Sequence, residues 1–122
     1  MFVEHLHRIC KVAKDRIGSR QTFILTFSYP SAVVTIRVIL DDRTGADIVI
    51  TNMSVLPESR RRMGYGQTAI RTLLKAAREN ELENGDIRAV QVQEDSEGFW
   101  KKMGFVSTRN YTNDFIYKGA EN

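Results

Sequence analysis

Cysteine, histidine and proline are scarce in this sequence of 122 residues. Cys10 is the only cysteine, so the chain can form no internal disulfide. The sequence also lacks an apolar run of about 20 residues, which is the length that spans a bilayer, and it lacks a stretch that resembles a secretory signal. We therefore predict a cytoplasmic protein that does not contact a membrane.

With two histidines and one cysteine, the sequence offers few of the residues that bind transition metals. His5 and His7 are the two histidines, and side chains two positions apart on a helix point in nearly opposite directions. We predict no metal site. Cys10 lies on the apolar side of the same predicted helix, where a small buried side chain is expected rather than a nucleophile.

Positive charge is in mild excess, with a formal net charge of +3 and a pI of about 9.2. This balance favours anionic partners such as phosphates. We predict no nucleic-acid partner, because no aromatic stacking surface or recognition-helix pattern accompanies the charge. With 42% hydrophobic and 27% charged residues, the chain suits a single domain, residues 1–122, with one core.

The first half of the chain predicts a helix followed by a β-meander. Apolar residues at helical spacing predict a first helix that ends at Gly18; they are Phe2, Leu6, Ile9, Ala13 and Ile17. Residues 22–27 and 32–40 are rich in β-branched and aromatic residues and flank a turn that contains Pro30, so they predict a hairpin. Residues 46–56 add a third, antiparallel strand.

The second half predicts a βαβ unit. Apolar residues from Ala69 keep helical spacing until the "ENG" at residues 83–85, and residues 86–92 then predict a buried strand. Strand, helix and strand in this order predict two parallel strands. A short helix at 96–103 and strands at 105–108 and 114–118 follow. The fold class is therefore α/β (α+β), a mixed sheet with helices on both faces.

The stretch "SRRRMGYGQTAIRTLL", residues 59–74, places three arginines and two glycines at the start of the second helix. About four backbone N–H groups at such a start lack partners within the helix, and the aligned peptide dipoles act there as a partial positive charge. Gly64 and Gly66 leave these amides open to a ligand, and the arginines attract an anion. The stretch indicates a phosphate-binding loop; the alternative is a flexible loop with solvated charges.

Two motifs in this half resemble those of the GNAT N-acetyltransferase superfamily. "RRMGYG", residues 61–66, is similar to the family's pyrophosphate loop R/Q-x-x-G-x-G/A, and "GFWKKMGF", residues 98–105, is similar to a second signature, F-(Y/W)-x-K-x-G-F. The two occur in the family's order, with a strand between them and a meander before them. The resemblance covers roughly residues 22–118 and implies a GNAT-like fold in a compact, N-terminally reduced member.

The resemblance implies acetyl-coenzyme A as the co-substrate. In similar proteins the loop amides, here residues 62–67, hold the pyrophosphate, and freed backbone groups of the preceding strand, here residues 53–56, pair with the pantetheine. Trp100 would flank the pantetheine or thioester end, belong to the core, or do both. The cofactor-binding residues that the resemblance implies are Met53, Ser54, Val55, Leu56, Arg61, Arg62, Met63, Gly64, Tyr65, Gly66, Gln67 and Trp100.

This chain departs from the family in its loop length and its N-terminal region. Pro57 and Gly64 are one position further apart than is usual, so either Val55 or Leu56 could take the usual pantetheine contact. The chain has room for one helix before its first hairpin. The acceptor site is therefore expected to be reduced, open or completed by another subunit.

The catalytic residues also depart from the family pattern. A primary amine is mostly protonated at neutral pH, and freeing it costs about 4.6 kcal/mol. Family members often use a carboxylate on the strand before the loop and a tyrosine in the second signature. Here that strand has no carboxylate, and Trp100 occupies the tyrosine position. Glu94, beside Asp95 after the predicted strand at residues 86–92, is the predicted base, with a solvated loop carboxylate as the alternative; Tyr111 and Tyr117 are weaker candidates for the acid.

Two functions remain open at this point. The first is an N-acetyltransferase that transfers the acetyl group to an amine of a small molecule, a peptide or a protein lysine. The second is a catalytically degenerate acyl-CoA-binding regulatory module that acts through a partner protein. The apolar side of helix one, together with Phe23, Phe27 or Tyr29, predicts a homodimer, and the alternative is a monomer with a shallow acceptor site.

Overall fold

A computed structural model describes residues 2–15, 21–40, 48–61, 63–82, 86–108 and 113–118. The first half contains α1 (Phe2–Ile9), β1 (Lys11–Asp15), β2 (Thr22–Tyr29), β3 (Ala32–Ile39) and β4 (Ile48–Leu56). The second half contains α2 (Tyr65–Glu79), β5 (Ile87–Ala89), α3 (Glu97–Lys102), β6 (Phe105–Ser107) and β7 (Phe115–Tyr117). Single 3₁₀ turns at Glu58–Arg60 and Glu94–Ser96 precede α2 and α3.

The strands form one mixed sheet in the order β1-β2-β3-β4-β5-β7-β6. β1 to β4 are an antiparallel meander, and β4 pairs with β5 in parallel through the α2 crossover. The predicted mixed sheet, meander and βαβ unit are therefore confirmed. None of the helices in the described residues is long and apolar enough to cross a membrane.

The core lies between the sheet and α2. Alternate residues of β3, from Ala32 to Val38, are buried, and α2 buries the apolar positions Ile70, Leu73 and Ala77 against the same cluster. α1 packs on α2 and contributes Leu6, which is fully buried. The apolar period read in the α2 sequence therefore corresponds to its core-facing side.

The first helix is shorter than its apolar spacing predicts. α1 ends at Ile9, and residues 11–15 form β1, which pairs antiparallel with β2 over its whole length. Ala13 is thus in a strand and Ile17 lies outside the described residues, as do residues 83–85 at the predicted end of the second helix. That helix ends at Glu79, and β5 spans three of the seven residues predicted for it.

The surface on which the dimer prediction depended is largely covered within one chain. Leu6 and Phe27 belong to the buried core, and the ring centroid of Tyr29 lies 5.7 Å from that of Tyr65. This argument for a dimer is therefore weakened, because Leu6 and Phe27 are buried within one chain, whereas Phe2, Ile9 and Phe23 are only partly buried against the same core. The dimer itself stays a prediction.

Candidate functional site

A cleft opens where β4 and β5 diverge. β4 pairs with β3 along nearly all of its nine residues, but among the described residues its pairing with β5 covers only residues 48–50. The last ladder bond runs from the Val90 N–H to the Ile50 carbonyl oxygen at 3.0 Å. From Thr51 onward, no strand of the described residues pairs with this edge of β4, and a cavity of about 560 Å³ lies beside it.

A β-bulge marks the same point on β4. Arg37 of β3 is aligned with Asn52 and Val38 is aligned with Ile50, so Thr51 is an extra residue in β4. The Thr51 hydroxyl donates to the Arg37 carbonyl oxygen at 3.4 Å. Because a bulge bends the strand that carries it and increases its local twist, it helps to turn β4 away from β5.

The wall opposite β4 begins with the turn that follows β5. Gln91 has a φ of 54°, in the left-handed region, and the Val92 N–H donates to the Asn113 carbonyl oxygen at 3.1 Å. The chain therefore leaves β4 and turns toward the segment before β7. Residues 90–93 line the cleft.

The N-terminus of α2 forms one end of the cleft. Gly64 caps this helix with a φ of 90°, no side chain supplies a capping hydrogen bond, and the first turn contains no acidic residue. A Cβ at Gly64 would meet no atom within 4 Å. The first amides of this 15-residue helix thus have no side-chain cap among the described residues, and Arg61 lines the cleft together with Gly64, Gly66 and Gln67. This combination attracts an anion.

Gly66 allows α2 to approach β4 and α3 closely. A Cβ at Gly66 would lie 3.3 Å from the Met53 Cε and 3.5 Å from a ring carbon of Phe99. The first distance is tighter than ordinary van der Waals contact, so a larger residue would displace side chains that line the cleft. Gly66 therefore has a packing role in addition to exposing backbone amides.

The helix α3 contributes an aromatic wall. Trp100 lines the cleft and is also 93% buried, with a relative exposure of 7%. Its ring makes edge-to-face contacts with Phe99 and Phe105, each at 5.1 Å between centroids. Trp100 is therefore both a core residue and part of the cleft wall, and its predicted place beside the pantetheine or thioester stays a prediction.

Alternation along β4 separates the predicted pantetheine contacts into two groups. Met53 and Val55 line the cleft, whereas Ser54 and Leu56 are exposed and do not line it. Of the two alternatives raised by the loop length, the side chain of Val55 is the one at the cleft. The longer loop itself contains the 3₁₀ turn at Glu58–Arg60.

The predicted loop residues are also divided. Arg61, Gly64, Gly66 and Gln67 line the cleft. Met63 is exposed, and its sulfur accepts a hydrogen bond from Nη1 of Arg60 at 4.0 Å. Tyr65 packs against Tyr29. Neither residue lines the cleft. Arg62 lies outside the described residues.

The predicted base, Glu94, is exposed and lies in the 3₁₀ turn before α3, and it is not among the residues that line the cleft. The neighbouring Asp95 does line it. Tyr117 is buried against Phe105, with 5.3 Å between ring centroids, and does not line the cleft either. Tyr111 lies outside the described residues. Asp95 is thus the carboxylate that the described part of the chain presents to the cleft.

Sequence reasoning missed Thr51, Gln91, Gln93 and Phe99, all of which line the cleft. Phe99 could have been found, since it belongs to the aromatic motif at residues 98–105. The other three lie at the bulge and at the turn after β5, and no pattern in the sequence signals either feature.

Cys10 lies outside the cleft and is poorly suited to nucleophilic chemistry. It follows the last residue of α1, and its S–H donates to the Leu6 carbonyl oxygen at 3.3 Å. Burial raises the pKa of the thiol from 9.0 to about 11, so the thiolate is scarce at neutral pH. The described residues contain no group of three or more metal-ligating side chains.

Comparison with known proteins gives a family and two similar folds. The profile described as the Acetyltransferase (GNAT) family matches residues 7–105. The crystal structure of a KacTA–DNA complex shares 14% identity with this chain at a TM-score of 0.51, covering 82% of this chain and 69% of that one. The crystal structure of AtaTR bound with AcCoA shares 15% identity at a TM-score of 0.51, with 93% and 70% covered. No curated protein sequence is similar enough to count as a match.

Proposed function

The chain belongs to the GNAT acetyltransferase family, and on that premise we propose that it transfers an acetyl group from acetyl-CoA to an amine. One observation carries the proposal: the edge of β4 that the described strands leave unpaired and the N-terminus of α2, which has no side-chain cap, open onto the same cleft. An elongated ligand with an anionic group at one end and an amide-containing arm at the other fits this arrangement. Acetyl-CoA has this chemistry, and the solved structure of AtaTR, which has a similar fold, is described as bound with AcCoA.

We place the pyrophosphate at the α2 end of the cleft. The amides at residues 64–67 and the guanidinium of Arg61 provide hydrogen-bond donors and positive charge there. The pantetheine then runs along β4 beside Met53 and Val55, pairing with backbone groups as an added strand does. The thioester comes to lie near Thr51 and Gln91, where the two strands diverge.

The acetyl transfer needs a free amine and a proton for the leaving group. The amine nitrogen bonds to the thioester carbonyl carbon, the C–S bond breaks, and the thiolate takes up a proton. Asp95 lines the cleft and is exposed, so it can take the amine proton directly or through water. Glu94, the base predicted from sequence, stays a candidate for the same role. In this proposal, most of the rate enhancement comes from holding the thioester and the amine next to each other.

A second function, a regulatory module that binds acyl-CoA without catalysis, is favoured by one observation. Among the described residues that line the cleft, none is a tyrosine, and Trp100 occupies the position where the family often has one. An indole N–H cannot serve as a proton donor to a thiolate near neutral pH. The two functions share the cofactor site and differ in whether a product is formed.

The test combines binding with product detection. Calorimetry with acetyl-CoA measures the cofactor site, and mass spectrometry of reactions with a panel of amines, peptides and cell extract measures transfer. Binding with an acetylated product supports the enzyme, and binding without any product supports the regulatory module. Absence of binding would contradict both functions.

A further inference from the structure

The turn that follows β5 is held by the segment that leads into β7. The Gln91 N–H donates to Asp114 Oδ1 at 3.3 Å, and the Val92 N–H donates to the Asn113 carbonyl oxygen at 3.1 Å. Gln91 itself adopts a φ of 54°, a conformation that costs free energy in any residue with a Cβ. The Asp114 bond is therefore made to a backbone group whose conformation needs support.

Asp114 is placed to supply that support. The residue is 9% exposed, and burial of a carboxylate is costly unless it is paired. Its second oxygen, Oδ2, lies 3.6 Å from Nη1 of Arg88 in β5, and its own carbonyl oxygen accepts the Thr108 N–H at 3.0 Å. One side chain thus holds both β5 and the turn that ends it.

The position of this contact along the chain relates it to the cleft. Val90 is the last residue whose N–H reaches β4, where it bonds to the Ile50 carbonyl oxygen. Gln91, the next residue, is bonded to Asp114 instead, and residues 90–93 then form a wall of the cleft. The carboxylate therefore acts at the residue where β5 separates from β4.

We propose that Asp114 is a positioning residue for acetyl transfer, because its carboxylate holds Gln91 in the left-handed conformation and so sets the width of the cleft at the thioester end. Asp114 does not line the cleft, and it acts through Gln91 rather than on the reacting atoms. The inference rests on the proposed binding of acetyl-CoA.

Two ligands distinguish this role from general destabilisation. Acetyl-CoA occupies the whole cleft in the proposal, whereas 3′-phosphoadenosine 5′-diphosphate lacks the pantetheine arm and contacts the α2 end alone. Asp114→Ala is expected to weaken acetyl-CoA binding by about tenfold in calorimetry and to leave the affinity for 3′-phosphoadenosine 5′-diphosphate as it is in wild type. Equal loss of both ligands in a folded variant would overturn the proposal.

Glycine at position 91 tests the backbone mechanism directly. Glycine adopts positive φ readily, so adding Gln91→Gly to Asp114→Ala is expected to recover most of the lost acetyl-CoA affinity; Gln91→Gly alone is the reference for this double-mutant cycle. If Asp114 contributed only through its ion pair with Arg88, the glycine would restore nothing, and that result would overturn the proposal.

A second variant keeps the test valid if Asp114→Ala fails to fold. Gln91 is exposed, and Gln91→Val places a β-branched residue where positive φ is strongly disfavoured. We expect it to weaken acetyl-CoA binding by about tenfold with the Asp114 carboxylate intact; wild-type affinity would overturn the proposal.

Thr22 is a buried polar residue of β2 away from the cleft, so Thr22→Val is the matched control and should bind acetyl-CoA as wild type does. Wild-type protein that fails to bind acetyl-CoA overturns the proposed function and this inference with it, whereas wild-type binding with unaffected variants overturns this inference alone.

Discussion

Gly64 and Gly104 have nearly the same backbone conformation in different surroundings. Their φ angles are 90° and 96°, so an added Cβ strains both by about 1–2 kcal/mol. Gly64 lines the cleft at the start of α2, and Gly104 lies in the turn before β6, away from it. Alanine at either position therefore introduces a similar backbone strain, but only alanine at Gly64 introduces it beside the cleft.

We expect Gly64→Ala and Gly104→Ala to lower the unfolding free energy by similar amounts, about 1–2 kcal/mol each. Gly64→Ala should also abolish most of the rise in melting temperature caused by acetyl-CoA, because strain at this residue moves the amides that face the anion. Gly104→Ala should keep that rise. Thermal unfolding with and without acetyl-CoA measures both effects, and an unchanged rise in Gly64→Ala would contradict the placement of the pyrophosphate.

Cys10 predicts a pH dependence of stability. Its folded-state pKa of about 11 lies above the ordinary value of 9.0, so its contribution is fully present below about pH 9 and is lost as the pH rises toward 11. Wild type should lose stability over this range relative to Cys10→Ala, which has no thiol to ionise. Urea unfolding of both proteins at about pH 8 and about pH 10.5 measures the difference. A constant difference would show that the thiol is not buried in solution.

Polar side chains connect the middle of α1 with the C-terminal end of α2. His5 Nε2 lies 3.4 Å from Glu79 Oε2, and the Asn80 side-chain amide donates both to His5 Nδ1 at 3.0 Å and to the Ala76 carbonyl oxygen at 2.7 Å. These contacts join the first helix to the end of the crossover helix.

We expect His5→Phe to lower the unfolding free energy by about 1 kcal/mol, because the ring is kept while both polar contacts are lost. His7→Phe changes an exposed residue of the same helix and should alter stability by less than about 0.5 kcal/mol. Chemical denaturation gives both values. Equal effects of the two substitutions would argue against a specific role for His5.

The elements that sequence predicted well are those whose signals are local. The glycines and arginines before α2, its apolar period and the strand-forming runs of β2 to β4 each lie within a few consecutive residues. β1 was missed because Lys11–Asp15 continues the apolar spacing of α1, while its strand conformation comes from pairing with β2, as in the alignment of Val12 with Leu25. Pairing with a distant segment overrides a weak local preference.

Sequence predicted only the end of the cleft whose signal is local. The arginines and glycines of the loop indicate an anion site by themselves, so that end of the cleft could be predicted. The thioester end depends on the bulge at Thr51, which arises in the pairing with β3, and on the left-handed Gln91, whose N–H bonds to Asp114 before β7. Both features involve residues that are distant in sequence. Whether Glu94 or Asp95 faces the cleft depends on the 3₁₀ turn Glu94–Ser96 that contains both, and sequence spacing does not specify this turn.

Ligand binding should stabilise the whole molecule. With acetyl-CoA at about a hundredfold excess over its dissociation constant, mass action adds about 2.7 kcal/mol to the unfolding free energy. A clear rise in melting temperature with millimolar acetyl-CoA is therefore expected, and 3′-phosphoadenosine 5′-diphosphate should give a smaller rise because it lacks the pantetheine contacts with β4. No rise with acetyl-CoA would contradict the cofactor site.

The homodimer remains a prediction with a simple measurement. Large apolar side chains that the structure leaves exposed include Val33 and Leu56, which are aligned across β3 and β4. Light scattering at micromolar concentration should give about twice the single-chain mass of 14.0 kDa. A mass near 14.0 kDa would reject the dimer and would favour a shallow site that accepts a protein side chain.

The strand order also has a consequence for how the chain folds. In β1 to β4, each strand pairs with its neighbour in sequence. β5 instead lies between β4 and β7, and aligning its Ile87 with Ile48 of β4 closes a long loop through α2. Because closing long loops is slow compared with forming local hairpins, the meander should form first and β5 should dock late. Until then, the edge of β4 that carries Ile48 and Ile50 is open to pairing with other chains. Pulse-labelled hydrogen exchange during refolding should show protection of β2 and β3 amides before those of Ile48 and Val90, and simultaneous protection would contradict this order.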